Sequence, residues 1–343
     1  MLVLGLETSC DETAAAVVEN GLTIRSNIVA SQHDLHAPFG GVVPEVAARA
    51  HAERITAVVD EALRVAACRP ADLGGIGVVN RPGLVGALLV GISAAKGFAL
   101  AWDLPLVGVD HIDAHVYAAH LAGFHAYPHV SLIVSGGHTC LYRVAGPQRL
   151  AVLGQTADDA AGEAFDKVAQ MLGLGFPGGP ALARCAEKGD PHAIRFSRCG
   201  PNEKLSDSPN FSFSGLKTAA YYRLRDPAGG RALRKISEQE RADVAAGFQE
   251  AACEILVEKT LAAAQRGGIK DVAIGGGVAC NKRLRVLFAE RARMLTPLVN
   301  VFFPPPALCA DNAAMSAGLA FHRLSKGERD PLDLEADPTP KRA

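Results

Sequence analysis

LVLGLETSCDETAAAVVEN, residues 2–20, is the stretch of this 343-residue chain that decides its fold. Two apolar segments, LVLGLET and TAAAVVEN, flank the polar turn SCDE, a pattern typical of a strand, a turn and a second strand. A similar pattern returns at 130–144, where VSLIV precedes the turn SGGHT and CLYRV follows it. Two such units this far apart in the chain predict two lobes built on one plan.

Helical patterns fill much of the sequence between these units. Apolar residues recur at helical spacing in 44–67, 84–101 and 238–265. A further buried strand is predicted by KDVAIGGG at 270–277, followed by a helical pattern at 281–293. Strands that alternate with helices predict an α/β architecture.

The length of the chain exceeds what a single hydrophobic core usually supports, so we expect two domains. The charged, proline-containing end of the sequence predicts a flexible tail. The expected divisions are an N-terminal lobe over 1–110 to which 295–322 return, a C-terminal lobe over 111–294, and a tail over 325–343.

The composition limits the class of protein. Apolar residues make up 49% and charged residues 21%, as in soluble globular proteins. The net charge of -1 gives no global attraction to nucleic acid, so an RNA site must be a local patch. The eight cysteines form no CxxC pair, which favours a reducing compartment. No signal peptide is apparent, and the apolar run from Leu84 to Ala95 is too short to span a bilayer, so we expect a cytoplasmic protein without membrane contact.

HIDAH at 111–115 contains two histidines one helical turn apart, so both imidazoles lie on one helix face and can reach one metal ion. In zinc-protease helices a Glu follows the first His as general base, whereas Ile112 stands here. A metallopeptidase would therefore lack its base. Asp311 in LCADNAAM is a candidate third ligand, and its alternative role is a helix cap. Two histidines and an Asp suit iron or zinc.

Glycine turns follow two of the predicted buried strands, SGGHT at 135–139 and GGG at 275–277. Such turns present N–H groups to phosphate oxygens, although neither matches the P-loop or the dinucleotide pattern. The alternative for a single Gly-Gly is a tight hairpin. Asp166, near FPGGP at 176–180, is a candidate acceptor for ribose hydroxyls; alternatively it is a solvated carboxylate paired with Lys167 or Lys188.

The segment 191–241 is basic, with ten Lys or Arg against five acids, and it also contains aromatic residues. Cationic side chains bind phosphates and aromatic rings stack on unpaired bases, so the segment is a candidate RNA surface. The alternative is an ordinary solvated face. The aromatic residues that make the segment a candidate are Phe211, Phe213, Tyr221 and Tyr222.

Nine motifs together resemble one known family in content and order. They are LETSCDET (6–13), GGVVPEVAARAH (40–51), HIDAH, VSGGHT (134–139), DDAAGEAFDK (158–167), FPGGP, FSFSGLKT (211–218), GGGVACNKRLR (275–285) and DNAAM (311–315). The family is TsaD, the bacterial catalytic subunit of tRNA N6-threonylcarbamoyladenosine synthesis, formerly described as a glycoprotease. The resemblance extends to about Leu319.

The resemblance implies a two-lobed actin/Hsp70-like ATPase (ASKHA) fold of the α/β class with its ligand in the inter-lobe cleft. It implies transfer of a threonylcarbamoyl group from threonylcarbamoyl-AMP to N6 of the adenosine beside the anticodon, in tRNAs that read codons beginning with adenine. It also implies one divalent metal ion, Fe²⁺ or Zn²⁺ with Fe²⁺ preferred, held by His111, His115 and Asp311.

The same resemblance assigns the remaining site residues and partners. Asp11 is the expected catalytic residue, with Glu12 beside it. Besides tRNA, the expected partners are a homologous non-catalytic TsaB-like subunit and a small TsaE-like ATPase. The adenylate would be bound by Ile133, Val134, Ser135, Gly136, Gly137, Asp166, Gly179 and Asn281.

The chain departs from the family pattern at three places. Arg81 stands where a GPGL turn has its first glycine, Ala183 stands where an acid often follows GGP, and 226–235 are less similar. Three other functions remain open: a non-catalytic nucleotide-binding regulator, a metallopeptidase and a sugar kinase on the same fold. The histidine pair is unexpected in a degenerate regulator and unexplained in a sugar kinase.

Overall fold

A computed structural model describes residues 1–199, 204–226 and 233–339. The chain divides into two compact units. Unit 1 comprises Met1–His125, Ala145–Leu150 and Pro304–Ala343, and unit 2 comprises Ala126–Val144 and Ala151–Phe303. This division falls later than the predicted one at 110, because the HIDAH helix packs on the elements of unit 1.

Unit 1 is built on a five-stranded mixed sheet in the order β3-β2-β1-β4-β5. The first three strands are antiparallel neighbours, and β4 and β5 continue from β1 in parallel. The central strand β1 is buried along nearly its whole length, as expected of a strand covered on both faces. The strands are β1 (Leu2–Glu7), β2 (Glu12–Glu19), β3 (Thr23–Ser31), β4 (Leu73–Arg81) and β5 (Leu106–Asp110).

The helices of unit 1 cover this sheet. They are α1 (His33–His36), α2 (Pro44–Val65), α3 (Val85–Trp102), α4 (His111–Leu121), α10 (Pro306–Cys309) and α11 (Ala313–Leu324). Helix α11 lies directly on β1: a Cβ added to Gly5 would meet the carbonyl oxygen of Ala313 at 2.4 Å. Only glycine permits this approach, which brings the segment before α11 to the end of β1.

Helix α3 is long and apolar enough to cross a membrane by length and composition alone. The apolar run that was expected to end at Ala95 continues past Lys96 as one helix to Trp102. One side of α3 packs on α2 and β4, as in a helix covering a sheet, and a third of the helix is buried.

Unit 2 repeats the plan of unit 1. Its sheet has the order β10-β9-β6-β7-β8, with β6 and β7 antiparallel and β6, β9 and β10 parallel. The predicted pair of lobes on one plan is thereby confirmed at the level of strand order. The strands are β6 (His129–Val134), β7 (Thr139–Gly146), β8 (Arg149–Gln155), β9 (Asp271–Gly275) and β10 (Asn300–Phe302).

The helices of unit 2 pack around the long central helix α8, which begins where the Ser237 hydroxyl accepts the N–H of Glu240. The predicted helices at 44–67, 84–101, 238–265 and 281–293 are each found within two residues of the expected ends. The helices are α5 (Ala161–Met171), α6 (Gly178–Ala186), α7 (Ser214–Leu224), α8 (Glu238–Arg266) and α9 (Lys282–Arg293).

The C-terminal segment differs from the predicted flexible tail. As far as Thr339 it lacks long elements, but it is attached to unit 1 by hydrogen bonds at Asp330, Glu335 and Asp337. Leu334 and Ala336 pack against the core of unit 1. The charge and proline content of the segment predicted disorder. Composition alone does not show that its few apolar residues pack against the core of unit 1.

Candidate functional site

The start of α4 brings the two histidines of HIDAH to the end of β5. Asp110 is the last residue of β5, and its Oδ1 accepts the N–H groups of Ile112 (2.9 Å) and Asp113 (3.1 Å). This side chain caps the helix, so α4 begins at His111. His115 follows one turn later, and both rings are buried.

The structure brings together the three residues expected to bind metal. Oδ1 of Asp311 lies 3.0 Å from Nε2 of His115 and 3.8 Å from Nε2 of His111. Their donor atoms all lie within 4.8 Å of one another. The Nε2 atom of His115 faces Asp311, while its Nδ1 atom is buried and has no hydrogen-bond partner among the described residues.

This donor set fits a first-row transition metal. Two neutral imidazoles and one carboxylate are the ligands of many catalytic zinc and non-haem iron sites. Asp311 is partly exposed while the histidines are buried, which leaves one side of the group accessible to a substrate.

Glu7 is a residue of this site that the sequence analysis did not identify. Its Oε2 lies 2.9 Å from Nδ1 of His111, and its Oε1 accepts the N–H of Ser9 at 2.7 Å. Although burial opposes the charged ring, the carboxylates of Glu7 and Asp311 raise the pKa of His111 to about 9. A carboxylate on the far nitrogen orients a metal-binding imidazole. The sequence signal that could have identified Glu7 was an acidic residue at the end of a buried apolar strand.

Asp311 and Asn312 resolve the two roles considered for the DN pair. Oδ1 of Asn312 accepts the N–H of Met315 at 3.2 Å, so Asn312 is the cap of α11. Asp311 is therefore not needed as a cap, and its carboxylate faces the histidines.

Asp11 ends the turn between β1 and β2, Glu12 begins β2, and both side chains lie near His33 of α1. Nε2 of His33 is 3.2 Å from Oε1 of Glu12 and 3.7 Å from Oδ2 of Asp11. Burial raises the pKa of Glu12 to about 8, against the hydrogen bond from His33, and the charges of Asp311 and Asp11 add to the rise. The expected catalytic residue Asp11 thus lies in a group of three ionisable side chains.

In unit 2 the SGGHT turn is a closed hairpin that leaves its glycines open. The N–H of Ser135 donates to the carbonyl of His138, and Oγ of Ser135 accepts the N–H of His138. A Cβ added to Gly136 or Gly137 would meet no atom within 4 Å. The turn is therefore a tight hairpin that still leaves space for a ligand beside its two glycines. Ile133 and Val134 precede the turn as buried residues of β6.

Asp166 and Gly179 contact each other. Oδ1 of Asp166 accepts the N–H of Gly179 at 3.0 Å, which joins α5 to the start of α6. A Cβ added to Gly178 would lie 2.6 Å from Cα of Asp166, whereas one added to Gly179 would meet nothing within 4 Å. Gly178 is therefore required by packing, and Gly179 leaves open space beside Asp166. Lys167 is instead paired with Asp159 and Glu163.

Asn281 has a structural task that its motif did not predict. Its Oδ1 caps α9 by accepting the N–H of Leu284, and its Nδ2 donates to Oε1 of Gln249 at 2.8 Å. The GGG turn before it approaches β6 closely: a Cβ added to Gly276, whose φ is +87°, would meet the carbonyl oxygen of Val134 at 2.3 Å. The second glycine turn thus lies beside the first at the ends of β6 and β9.

The basic segment 191–241 is only partly consistent with an RNA surface. Phe211 and Phe213 are buried core residues, so the expectation that they stack on bases is wrong. Tyr222 is exposed at the surface of α7. Arg198 and Arg234 form ion pairs with Glu254 and Glu240. Arg231 and Glu203 lie outside the described residues.

Comparison with known proteins identifies the relatives of this chain. Residues 23–318 match the family model described as TsaD, tRNA N6-adenosine threonylcarbamoyltransferase. The protein of that name from Syntrophotalea carbinolica is 50% identical over 98% of this chain and 95% of its own length. The one from Geobacter sulfurreducens is 51% identical over 98% of this chain and 96% of its own length.

Solved structures show the fold. HypF from T. kodakarensis superposes with a TM-score of 0.57 at 15% identity, over 95% of this chain and 48% of that one. Component A of (R)-2-hydroxyglutaryl-CoA dehydratase from Acidaminococcus fermentans superposes with a TM-score of 0.55 at 16% identity. The match covers 95% of this chain and 99% of that one. These neighbours have the actin/Hsp70-like ATPase fold, and the predicted fold class is confirmed.

Proposed function

The chain belongs to the tRNA N6-adenosine threonylcarbamoyltransferase family, and from this premise we propose how its residues perform the reaction. It is a transferase that modifies tRNA by attaching a threonylcarbamoyl group to N6 of an adenosine. We propose threonylcarbamoyl-AMP as the donor and the adenosine beside the anticodon, in tRNAs reading codons that begin with adenine, as the acceptor. The convergence of His111, His115 and Asp311 is the observation that most supports a catalytic rather than a regulatory role.

His111, His115 and Asp311 would hold one divalent metal ion, Fe²⁺ in preference to Zn²⁺. When bound, the ion supplies a Lewis acid for the charge that develops on the acyl donor. Glu7 fixes the orientation of His111 through its Nδ1 atom, so the Nε2 atom faces the other donors.

Asp11 would accept the proton that the attacking amine loses. In the transfer the amine nitrogen forms a bond to the carbamoyl carbon, the bond from that carbon to the phosphate oxygen breaks, and AMP leaves. Asp11 lies in the cluster with Glu12 and His33, so a proton it accepts can pass to a neighbouring side chain. Because a base amine is a weak nucleophile, positioning supplies much of the rate.

The adenylate would be bound by unit 2. The space beside Gly136 and Gly137 suits a phosphate group, whose oxygens the N–H groups of these glycines would meet. Ile133, Val134 and Ser135 would form the end of β6 that carries this turn, since the N–H of Ser135 is itself bonded to the carbonyl of His138. The space beside Gly179 and Asp166 suits the ribose, whose hydroxyls the carboxylate accepts. Asn281 would contribute through the position it fixes at the start of α9, since its own side chain is engaged as a cap.

The exposed face of α3 is the surface we propose for the homologous non-catalytic subunit. Val85, Leu89 and Leu100 lie on one face of this helix and are at least half exposed. A row of exposed apolar side chains on one helix is typical of a protein interface. We also propose a small ATPase as a second partner and the cytoplasm as the location, and the family relationship supports both proposals.

Transfer is tested by incubating unmodified tRNA with labelled threonine, ATP, bicarbonate, the adenylate-forming enzyme and the partner subunits. Alkaline treatment then removes threonine esterified to the tRNA end. We expect alkali-stable label in tRNA only when this chain is present.

His111→Ala should abolish the alkali-stable label together with the metal content, whereas His192→Ala, which changes an exposed histidine of unit 2, should retain both. Absence of label with the wild-type chain and all partners would favour the nucleotide-binding regulator instead.

A further inference from the structure

The segment 330–337 is hydrogen-bonded to β5, the edge strand of the sheet in unit 1. The N–H of Asp330 donates to the carbonyl of Leu106, and Oδ2 of Asp330 accepts the N–H of Gly108 at 2.7 Å. Arg323 joins both partners by donating to the carbonyl of Gly108 and to Asp330. These contacts pair the edge strand β5, which carries α4 at its end.

The same segment then reaches the end of β4. Nδ2 of Asn80 donates to the carbonyl of Glu335, and the N–H of Asp337 donates to the carbonyl of Asn80 at 2.9 Å. Between them Leu334 packs so closely that a Cβ added to Gly108 would lie 3.2 Å from its Cδ1. Backbone, side-chain and apolar contacts thus attach the segment at several points.

Arg81 connects this segment to the cap of α4. Its Nη2 donates to Oδ2 of Asp337 at 2.5 Å, and its Nε lies 3.8 Å from Oδ2 of Asp110. That Nε is buried without a hydrogen-bond partner among the described residues, so a small movement of either side chain would complete a bond to Asp110. The guanidinium therefore lies between the carboxylate of the C-terminal segment and the carboxylate that starts α4.

The two carboxylate oxygens of Asp110 have different partners. Oδ1 accepts the two N–H groups that begin α4, while Oδ2 faces Arg81. A shift of Asp110 would move the first turn of α4, and with it the ring of His111.

We propose that residues 330–337 form a strap that positions the metal-binding helix, with Arg81 and Asp337 as positioning residues that act through Asp110. This inference rests on the metal centre of the proposed function. The partners of Arg81 are Asp337 and Asp110 rather than a metal-binding side chain, so the strap would act on the arrangement of the three ligands and on the affinity for the ion. An ordered first turn keeps Nε2 of His111 directed at Asp311 before an ion arrives.

The test compares the Zn²⁺ affinity of Arg81→Ala and Asp337→Asn with that of the wild-type chain, by competition with a chromophoric chelator. Since residues behind metal ligands typically change affinity by 10–100-fold, and this contact is one residue further away, we expect a weakening of about threefold to tenfold. Arg81→Lys should restore part of the affinity. The Co²⁺ absorption spectrum should change with the geometry of the site in both weakened variants.

A matched control is Arg64→Ala, which removes an exposed ion pair with Glu61 elsewhere on unit 1 and should leave Zn²⁺ affinity unchanged. Unfolding of the metal-free variants separates folding from positioning. If Arg81→Ala and Asp337→Asn are less stable but bind Zn²⁺ within twofold of the wild-type affinity, the proposal that the strap positions the metal-binding helix is overturned. Failure of the wild-type chain itself to bind Zn²⁺ or Fe²⁺ would instead overturn the metal centre, and the strap with it.

Discussion

Asp311 and Asn312 are adjacent in the chain, yet they contact different partners. The carboxylate of Asp311 lies beside Nε2 of His115, and the amide of Asn312 caps α11. The sequence predicted both roles for the DN pair, but it could not divide them, because the division depends on which side chain faces α4 in three dimensions.

Substituting these neighbours should separate metal binding from stability. Asp311→Asn should weaken Zn²⁺ binding at least about tenfold, since it removes an anionic ligand, with little change in unfolding of the metal-free form. Asn312→Ala should lower the free energy of unfolding by about 1–2 kcal/mol through loss of the cap and should keep the affinity. Zn²⁺ titration and urea unfolding of both variants measure this. Equal effects of the two substitutions would contradict the assignment.

Glu12 should make the metal-free protein less stable in alkaline solution. Burial, opposed by the hydrogen bond from His33, raises its pKa to about 8 from a usual value near 4.5. A pKa that is higher in the folded than in the unfolded protein means that folding favours the protonated carboxyl. The contribution of Glu12 to the free energy of unfolding is therefore complete below pH 4.5, the usual pKa, and is lost as the pH rises through about 8.

The Glu12→Gln variant should therefore lose less stability than wild type between pH 6 and pH 9, by about 2 kcal/mol. Denaturant unfolding at the two pH values measures the difference. Glu61→Gln, at an exposed position of α2, is the control and should follow the wild type. Parallel profiles for wild type and Glu12→Gln would contradict the assignment of this carboxyl.

At the scale of elements, apolar runs that end in a clear turn were predictable as strands, whereas β4 and β5 were not. The predicted strands at 2–8, 13–20, 130–134, 140–144 and 270–277 correspond to β1, β2, β6, β7 and β9. By contrast, β4 reads LGGIGVVNR and β5 is only LVGVD, too short to show a period. Their glycines pack against neighbours: a Cβ added to Gly77 would lie 2.4 Å from Cβ of Ala320.

The start of α6 offers a matched pair of glycines. Gly178→Ala should destabilise unit 2, because the new Cβ would meet Asp166. Gly179→Ala should leave the unfolding midpoint unchanged, because that Cβ meets open space, and should weaken binding of AMP about tenfold if Gly179 borders the adenylate. Calorimetric titration with AMP and thermal unfolding test both. Unchanged AMP affinity in Gly179→Ala would remove this glycine from the proposed site.

At the scale of the whole molecule, the repeated strand–turn–strand pattern predicted the duplicated plan, and both sheets have the same strand order. The composition did not predict the ordered C-terminal segment, since its attachment depends on Asp330 and Asp337 meeting backbone and guanidinium groups of unit 1. Most site residues were assigned by resemblance. The role of Glu7 could not be predicted from the sequence, because it depends on the contact between its carboxylate and the ring of His111, which is distant in the chain.

Mass analysis of tRNA nucleosides after the reconstituted reaction is the most direct test of the central claim, that this chain joins a threonylcarbamoyl group to N6 of adenosine through the His111–His115–Asp311 site. With the wild-type chain we predict threonylcarbamoyladenosine from the anticodon-loop fragment of a tRNA reading a codon that begins with adenine, and unmodified adenosine with His111→Ala. The modified nucleoside at undiminished yield with His111→Ala, or its absence with wild type and all partners present, would contradict the account.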